Sequence, residues 1–165
     1  MKNIVLIGMP GCGKSTIGVI LAKTLGMSFI DTDLIIQQRE NRLLQNIIDQ
    51  DGLESFLDIE RDAILSVDCK NSVISTGGSA VFRKEAMTHL KNNGIIFFID
   101  VAPETLKKRL SNIKTRGIAA RKDESVDDIF NQRLPLYKEY ADVVLTVENE
   151  SVETSVERLV EFLKN

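Results

Sequence analysis

A three-layer α/β fold, with a parallel sheet held between helices, is what the order of apolar segments in these 165 residues predicts. Two observations carry it. Short β-branched runs alternate with longer amphipathic stretches along the chain. The first, third and fourth runs are apolar almost without interruption, as expected of strands buried on both faces of a parallel sheet. Strands joined in this way require right-handed crossovers.

Taken in order, the strands are expected at residues 3–7, 28–31, 72–75, 95–101 and 143–147. Helical periodicity fills the intervals at residues 14–25, 34–40, 43–50, 53–67, 83–91, 103–111, 125–140 and 151–163. No repeat, low-complexity tract or Pro/Gly/Ser-rich linker divides the chain, so residues 1–165 read as a single domain, large enough to bury a core without disulfides or structural metal. Residues 112–124 fit neither period. They hold Lys114, Arg116, Arg121 and Lys122 around Gly117 with few apolar anchors, and read as a mobile basic loop.

Composition narrows the function classes. With 43% hydrophobic and 27% charged residues the chain is ordinary for a globular protein. A formal net charge of −3 supplies no global basic field, which argues against nucleic acid as a main partner. The apolar run after Met1-Lys2-Asn3 is too short for a signal segment, and no stretch approaches the roughly 20 residues needed to span a bilayer. Cys12 and Cys69 are the only cysteines, which fits a reducing compartment; the expectation is a cytoplasmic protein. No surplus apolar face or heptad appears, so a monomer is expected.

The strongest motif follows the first strand. Gly8-Met9-Pro10-Gly11-Cys12-Gly13-Lys14-Ser15 satisfies G-x-x-x-x-G-K-[ST], in the strand–loop–helix context that a P-loop requires. The glycines let backbone N–H groups wrap a phosphate, and the helix beginning at Lys14 adds its N-terminal dipole. Gly8, Gly11, Cys12, Gly13, Lys14, Ser15 and Thr16 are therefore the expected triphosphate-binding residues. Lys14 would reach the β- and γ-phosphates, and the Ser15 hydroxyl would ligate Mg²⁺. Cys12 could be an activated thiol at a helix N-terminus or merely a small residue the loop tolerates. His89, the sole histidine, is expected on a surface helix away from any chemistry.

A GTPase would carry N-K-x-D, and none is present. The second strand runs into Asp31-Thr32-Asp33, placing two carboxylates at the carboxyl edge of the sheet, where ligands of open α/β sheets sit. One acid can hold magnesium through water while the other takes a proton from an attacking hydroxyl. A helix N-cap is compatible with both roles. The third strand runs into Ser75-Thr76-Gly77-Gly78-Ser79, where adjacent glycines suggest either close approach of backbone to a ligand or a plain tight turn.

Together the P-loop, Asp31-Thr32-Asp33, Thr76-Gly77-Gly78 and Arg133-Leu134-Pro135-Leu136-Tyr137 resemble the shikimate kinase family over nearly the whole chain. The resemblance implies a nucleoside monophosphate kinase-like P-loop fold with a five-stranded parallel sheet and a mobile lid at residues 112–124. It implies transfer of the γ-phosphoryl group of ATP, with Mg²⁺, to the 3-hydroxyl of shikimate in aromatic amino-acid biosynthesis. Residues 33–67 would form the acceptor-binding helices. Asp33 would bind the acceptor and act as base or orienter, and Asp31 would stand on the magnesium side, ahead of Asp100, which ends another apolar strand. Gly77, Gly78 and Arg133 would bind the acceptor, Arg116 would act from the lid, and Arg109 would pack on adenine.

The resemblance has gaps on the acceptor side. In the family an arginine follows the phenylalanine one turn before the glutamate and grips the substrate carboxylate; here that position is Leu57. Glu60 falls in the middle of the apolar stripe Leu53, Phe56, Leu57, Ile64 and Val67, so it needs a cation or a proton. Arg61 is adjacent but on another helix face. Ser79 replaces a third glycine, and the lid reads Arg116-Gly117-Ile118-Ala119. These departures leave two alternatives beside a shikimate kinase: a kinase of another small hydroxylated acceptor, or a nucleotide-binding regulatory module without turnover.

Overall fold

The computed structural model describes residues 1–111 and 117–165. Five strands, β1 (Asn3–Ile7), β2 (Ser28–Asp31), β3 (Ser72–Ser75), β4 (Gly94–Val101) and β5 (Val143–Val147), form one sheet in the order β2-β3-β1-β4-β5. Every pairing is parallel. The all-apolar run of β1 explains its central place: it is buried along its whole length between β3 and β4. A strand covered on both faces loses nothing by carrying apolar side chains on both.

Eight helices are described: α1 (Lys14–Leu25), α2 (Thr32–Glu40), α3 (Leu44–Asp51), α4 (Leu53–Leu65), α5 (Lys84–Asn92), α6 (Pro103–Leu110), α7 (Val126–Tyr140) and α8 (Val152–Lys164). A short 3₁₀ turn, Ala80–Phe82, precedes α5. The helices fall where the periodicity put them, with ends displaced by one or two residues. Helix α2 begins at Thr32 because Asp31 caps it, its Oδ1 accepting from the Asp33 N–H at 2.9 Å. Helix α4 ends at Leu65, two residues short of the expected Val67.

Buried apolar residues divide into two clusters. The larger surrounds the sheet and includes Ile4 to Ile7, Ile74, Ile96 to Ile99 and Leu21. The smaller joins Ile36, Leu44, Ile47, Phe56, Leu57, Ala63 and Ala119, tying α2, α3 and α4 to the segment that leads into α7. No fully buried residue belongs to both. The carboxyl ends of β1, β2 and β3 run into the P-loop, the start of α2 and residues 76–79, with β1 where the strand order reverses, the usual place for a ligand in an open α/β sheet.

Among the described residues no helix is long and apolar enough to cross a membrane. Cys12 and Cys69 are both free.

Candidate active site

The P-loop leaves β1 and turns directly into α1. Gly13 caps that helix at φ 97°, in the left-handed region where a side chain would be strained. Lys14 is buried, and its Nζ donates to the carbonyl oxygens of Gly8 at 2.8 Å and Met9 at 3.0 Å. The loop thus holds its own lysine pointing back along the strand. Cys12 is buried, with Sγ 3.6 Å from Lys14 Nζ, so its side chain belongs to the packing of the loop.

Ser15 and Asp31 come together from different elements. Ser15 Oγ donates to Asp31 Oδ2 at 3.1 Å, and Ser75 Oγ at the end of β3 lies 3.3 Å from the same hydroxyl. Asp31 thus caps α2 with one oxygen, as an N-cap would, and meets the P-loop serine with the other. Asp100 does not join this group. It is partly buried, which raises its pKa, and Lys138 is the charge that opposes the rise.

One cavity of about 100 Å³ brings the two halves of the site together. Gly11, Gly13, Lys14, Ser15 and Thr16 line one side, and Asp33, Glu60, Gly77, Gly78 and Arg133 line the other. A second, more open cavity of about 380 Å³ lies behind the loop, between Gly13, Arg109, Val147 and Glu150. Arg109 Nη1 donates to Gly11 O at 3.0 Å, which fixes its guanidinium over this cavity. Arg116 lies outside the described residues.

On the side of the cavity lined by Asp33 and Glu60, the glycines are required by close approach. A Cβ on Gly77 would stand 2.5 Å from Glu60 Oε2 and 2.7 Å from Asp33 Oδ1; one on Gly78 would meet Arg133 Nη1 at 2.9 Å. Arg133 is 2% exposed, donates from Nη2 to Ala119 O at 2.7 Å, and sits 5.3 Å from the centroid of the Phe82 ring. The ring face attracts the guanidinium. Tyr137, one turn further along α7, stacks on Phe98 and donates its hydroxyl to Gly78 O at 2.6 Å.

Glu60 is 2% exposed on the inner face of α4, as its place in the apolar stripe implies. Burial, and next the charge of Asp33, raise its pKa to about 8. Of the two answers open to a buried carboxylate, the site favours a proton. Arg61 pairs with Asp58 and Asp62 on the surface instead. Arg83 is likewise taken by Glu54 and Asp58. Leu57 packs in the smaller apolar cluster with Ala119 and Phe82.

The sequence model described as shikimate kinase matches residues 10–164. The chain belongs to the shikimate kinase family. A shikimate kinase of Thermodesulfovibrio yellowstonii is 35% identical over 97% of this chain and 94% of its own length. One of Caldanaerobacter subterraneus is 32% identical over 97% and 95%. Among solved structures, the Acinetobacter baumannii shikimate kinase in complex with shikimate superposes with a TM-score of 0.91 at 25% identity, covering 99% of this chain and 93% of that one. The Bacteroides thetaiotaomicron shikimate kinase gives a TM-score of 0.85 at 30% identity, with 99% of each chain covered.

As a member of the shikimate kinase family, the chain is an ATP-dependent kinase that phosphorylates a hydroxyl group and uses Mg²⁺. The residues present suit that ion. Ser15 and Asp31 offer hard oxygen donors beside the phosphate loop, leaving the remaining positions to phosphate oxygens and water, as Mg²⁺ prefers. Three residues of the site were not singled out from sequence: Tyr137 as the anchor of Gly78, Phe82 beneath Arg133, and Ser75 beside Ser15. Tyr137 carried a signal, since it follows Arg133 by four positions and must share its helix face.

Proposed function

We propose that this chain moves the γ-phosphoryl group of ATP to the 3-hydroxyl of shikimate, a step of chorismate and aromatic amino-acid biosynthesis. The reading rests above all on one cavity lined by the P-loop on one side and by Asp33, Gly77, Gly78 and Arg133 on the other. Catalysis of phosphoryl transfer is mostly positioning and charge stabilisation, and these residues divide that work. Lys14 exchanges the Gly8 and Met9 carbonyls for the β- and γ-phosphates. Asp33 accepts the hydrogen of the attacking hydroxyl and either takes the proton or orients the oxygen. Arg133 holds the acceptor's carboxylate, and the Gly77–Gly78 backbone approaches its ring. Arg109 packs on adenine, and Arg116 acts from a lid over residues 112–124. Ser15 and Asp31 would hold Mg²⁺, which would supply neutralisation of the phosphate oxygens.

On this reading residues 1–165 are one kinase domain, residues 33–67 carry the acceptor, and the protein works as a cytoplasmic monomer. The test is steady-state ATP turnover against a panel of hydroxy acids, polyols and amino polyols. Shikimate should stimulate turnover most. Greater stimulation by another acceptor would move the assignment to the second reading, a kinase of a related hydroxylated compound, which the absence of a cation bonded to Glu60 among the described residues favours. ATP binding with no acceptor-dependent turnover would leave a regulatory module.

A further inference from the structure

Glu60 lines the acceptor side of the cavity, and the roles assigned so far make no use of it. Ser79, itself buried, donates its hydroxyl to Glu60 Oε1 at 2.7 Å. Oε2 is buried and has no hydrogen-bond partner among the described residues. A buried carboxyl oxygen left unpaired is costly, and such groups are retained where a ligand completes them. Oε2 is also aimed. It and Asp33 Oδ1 come from different helices, α4 and α2, yet both lie within 2.7 Å of the point where Gly77 would carry a Cβ. The missing side chain lets both oxygens close on the Gly77 turn, so they converge on one edge of the cavity that all three residues line.

We propose that Glu60 binds the acceptor directly, its Oε2 donating a hydrogen bond to the hydroxyl next to the one that receives the phosphoryl group. The acceptor is then a compound with two neighbouring hydroxyls, one read by Asp33 and the other by Glu60. This rests on the reading of the cavity as a kinase acceptor site. Asp33 accepts the hydrogen of the reacting hydroxyl as base or orienter, while burial lets Glu60 keep its own proton. The charged and titratable groups around Glu60 are Asp33 from α2, Lys14 from α1, and Arg133 and Tyr137 from α7. Of these Asp33 favours the proton, and Arg133 and Lys14 oppose it less than burial supports it. Ser79 decides which oxygen is left for the ligand.

The experiment measures kcat and KM for shikimate and for the analogue lacking the hydroxyl adjacent to the reacting one, across about pH 6 to 9, the range in which a carboxyl raised this far titrates. It uses the wild-type chain, Glu60→Gln and Glu60→Met. The wild type should show a KM roughly tenfold lower for shikimate than for the analogue, the worth of one hydrogen bond. Glu60→Met should lose that discrimination. Glu60→Gln should keep it, because with Ser79 on the amide oxygen the N–H₂ points where Oε2 was. The wild-type KM should rise above about pH 8 as Glu60 loses its proton, and the Gln variant should stay flat. Discrimination that survives in Glu60→Met, or an alkaline rise that survives in Glu60→Gln, overturns the assignment; if the Met variant does not fold, the Gln profile alone decides. A wild type with no shikimate-dependent turnover overturns the reading of the site, and this inference with it. Turnover with unmoved discrimination overturns the inference alone.

Discussion

Glu60 shows how one residue can give a protein a pH dependence of stability that its net charge does not reveal. Its pKa rises from 4.5 to about 8 on folding because the neutral form is the one that burial tolerates. For an acid shifted upward, the contribution to stability is complete below the unfolded value and is lost as pH rises through the folded one. Glu60→Gln copies the neutral form at every pH. In urea denaturation the variant should match the wild type near pH 4.5 and exceed it by at least about 2 kcal/mol near pH 8. Equal stabilities across that window would mean that Glu60 is ionised in the folded chain. The same residue explains what Leu57 does. With an apolar side chain one turn before Glu60 and Arg61 tied to Asp58 and Asp62, no described cation bonds to the carboxyl.

At the scale of elements, α7 matters most, because it carries both Arg133 and Tyr137 into the acceptor side. Its start is fixed by a capping box: Ser125 Oγ accepts from the Asp128 N–H at 3.1 Å and Asp128 Oδ2 accepts from the Ser125 N–H at 3.0 Å. Pro135 sits inside the helix and withholds an N–H from it, so the first turn has more to secure. Ser125→Ala should cost about 1 kcal/mol in thermal or chemical unfolding. It should raise the acceptor KM more than the ATP KM, because the helix touches the acceptor side.

How far each element could be read from sequence follows from how local its cause is. Four strands have the expected bounds and β4 begins one residue early, at Gly94, because an apolar run between breakers needs no tertiary knowledge. Helix ends moved where a cap, not the periodicity, sets the boundary, as at Asp31 and Ser151. The turn Ala80–Phe82 is too short to show a period. The P-loop was legible because its residues are contiguous. The bonds from Ser79 to Glu60 and from Tyr137 to Gly78 join residues 19 and 59 positions apart, and only the packing of α4 and α7 on the glycine turn creates them.

Across the whole molecule the two apolar clusters back different parts of the site. The sheet cluster supports the P-loop and, through Ile129 and Tyr137, helix α7, while the smaller one backs the Glu60 side of the cavity through Phe56, Leu57 and Ala119. Each ligand should therefore quiet its own half. In hydrogen exchange, a non-hydrolysable ATP analogue with Mg²⁺ should slow amides at residues 8–18, and shikimate should slow those of α2 to α4 and residues 117–120. Uniform slowing by either ligand alone would mean that the halves behave as one cooperative unit.

The separation of the clusters also bears on how this chain can change. Leu57 and Ala119 belong to the smaller patch, none of whose buried members is shared with the cluster around the sheet. Ala119 lines the cavity and Leu57 packs in the cluster with it, so modest changes there should alter what the pocket admits more than how the phosphate loop sits. A library of apolar residues of similar volume at those two positions would vary the surroundings of the acceptor while leaving the residues of the phosphate loop in place. That independence is a route by which one ancestral kinase could diversify among substrates while its energy source stayed constant.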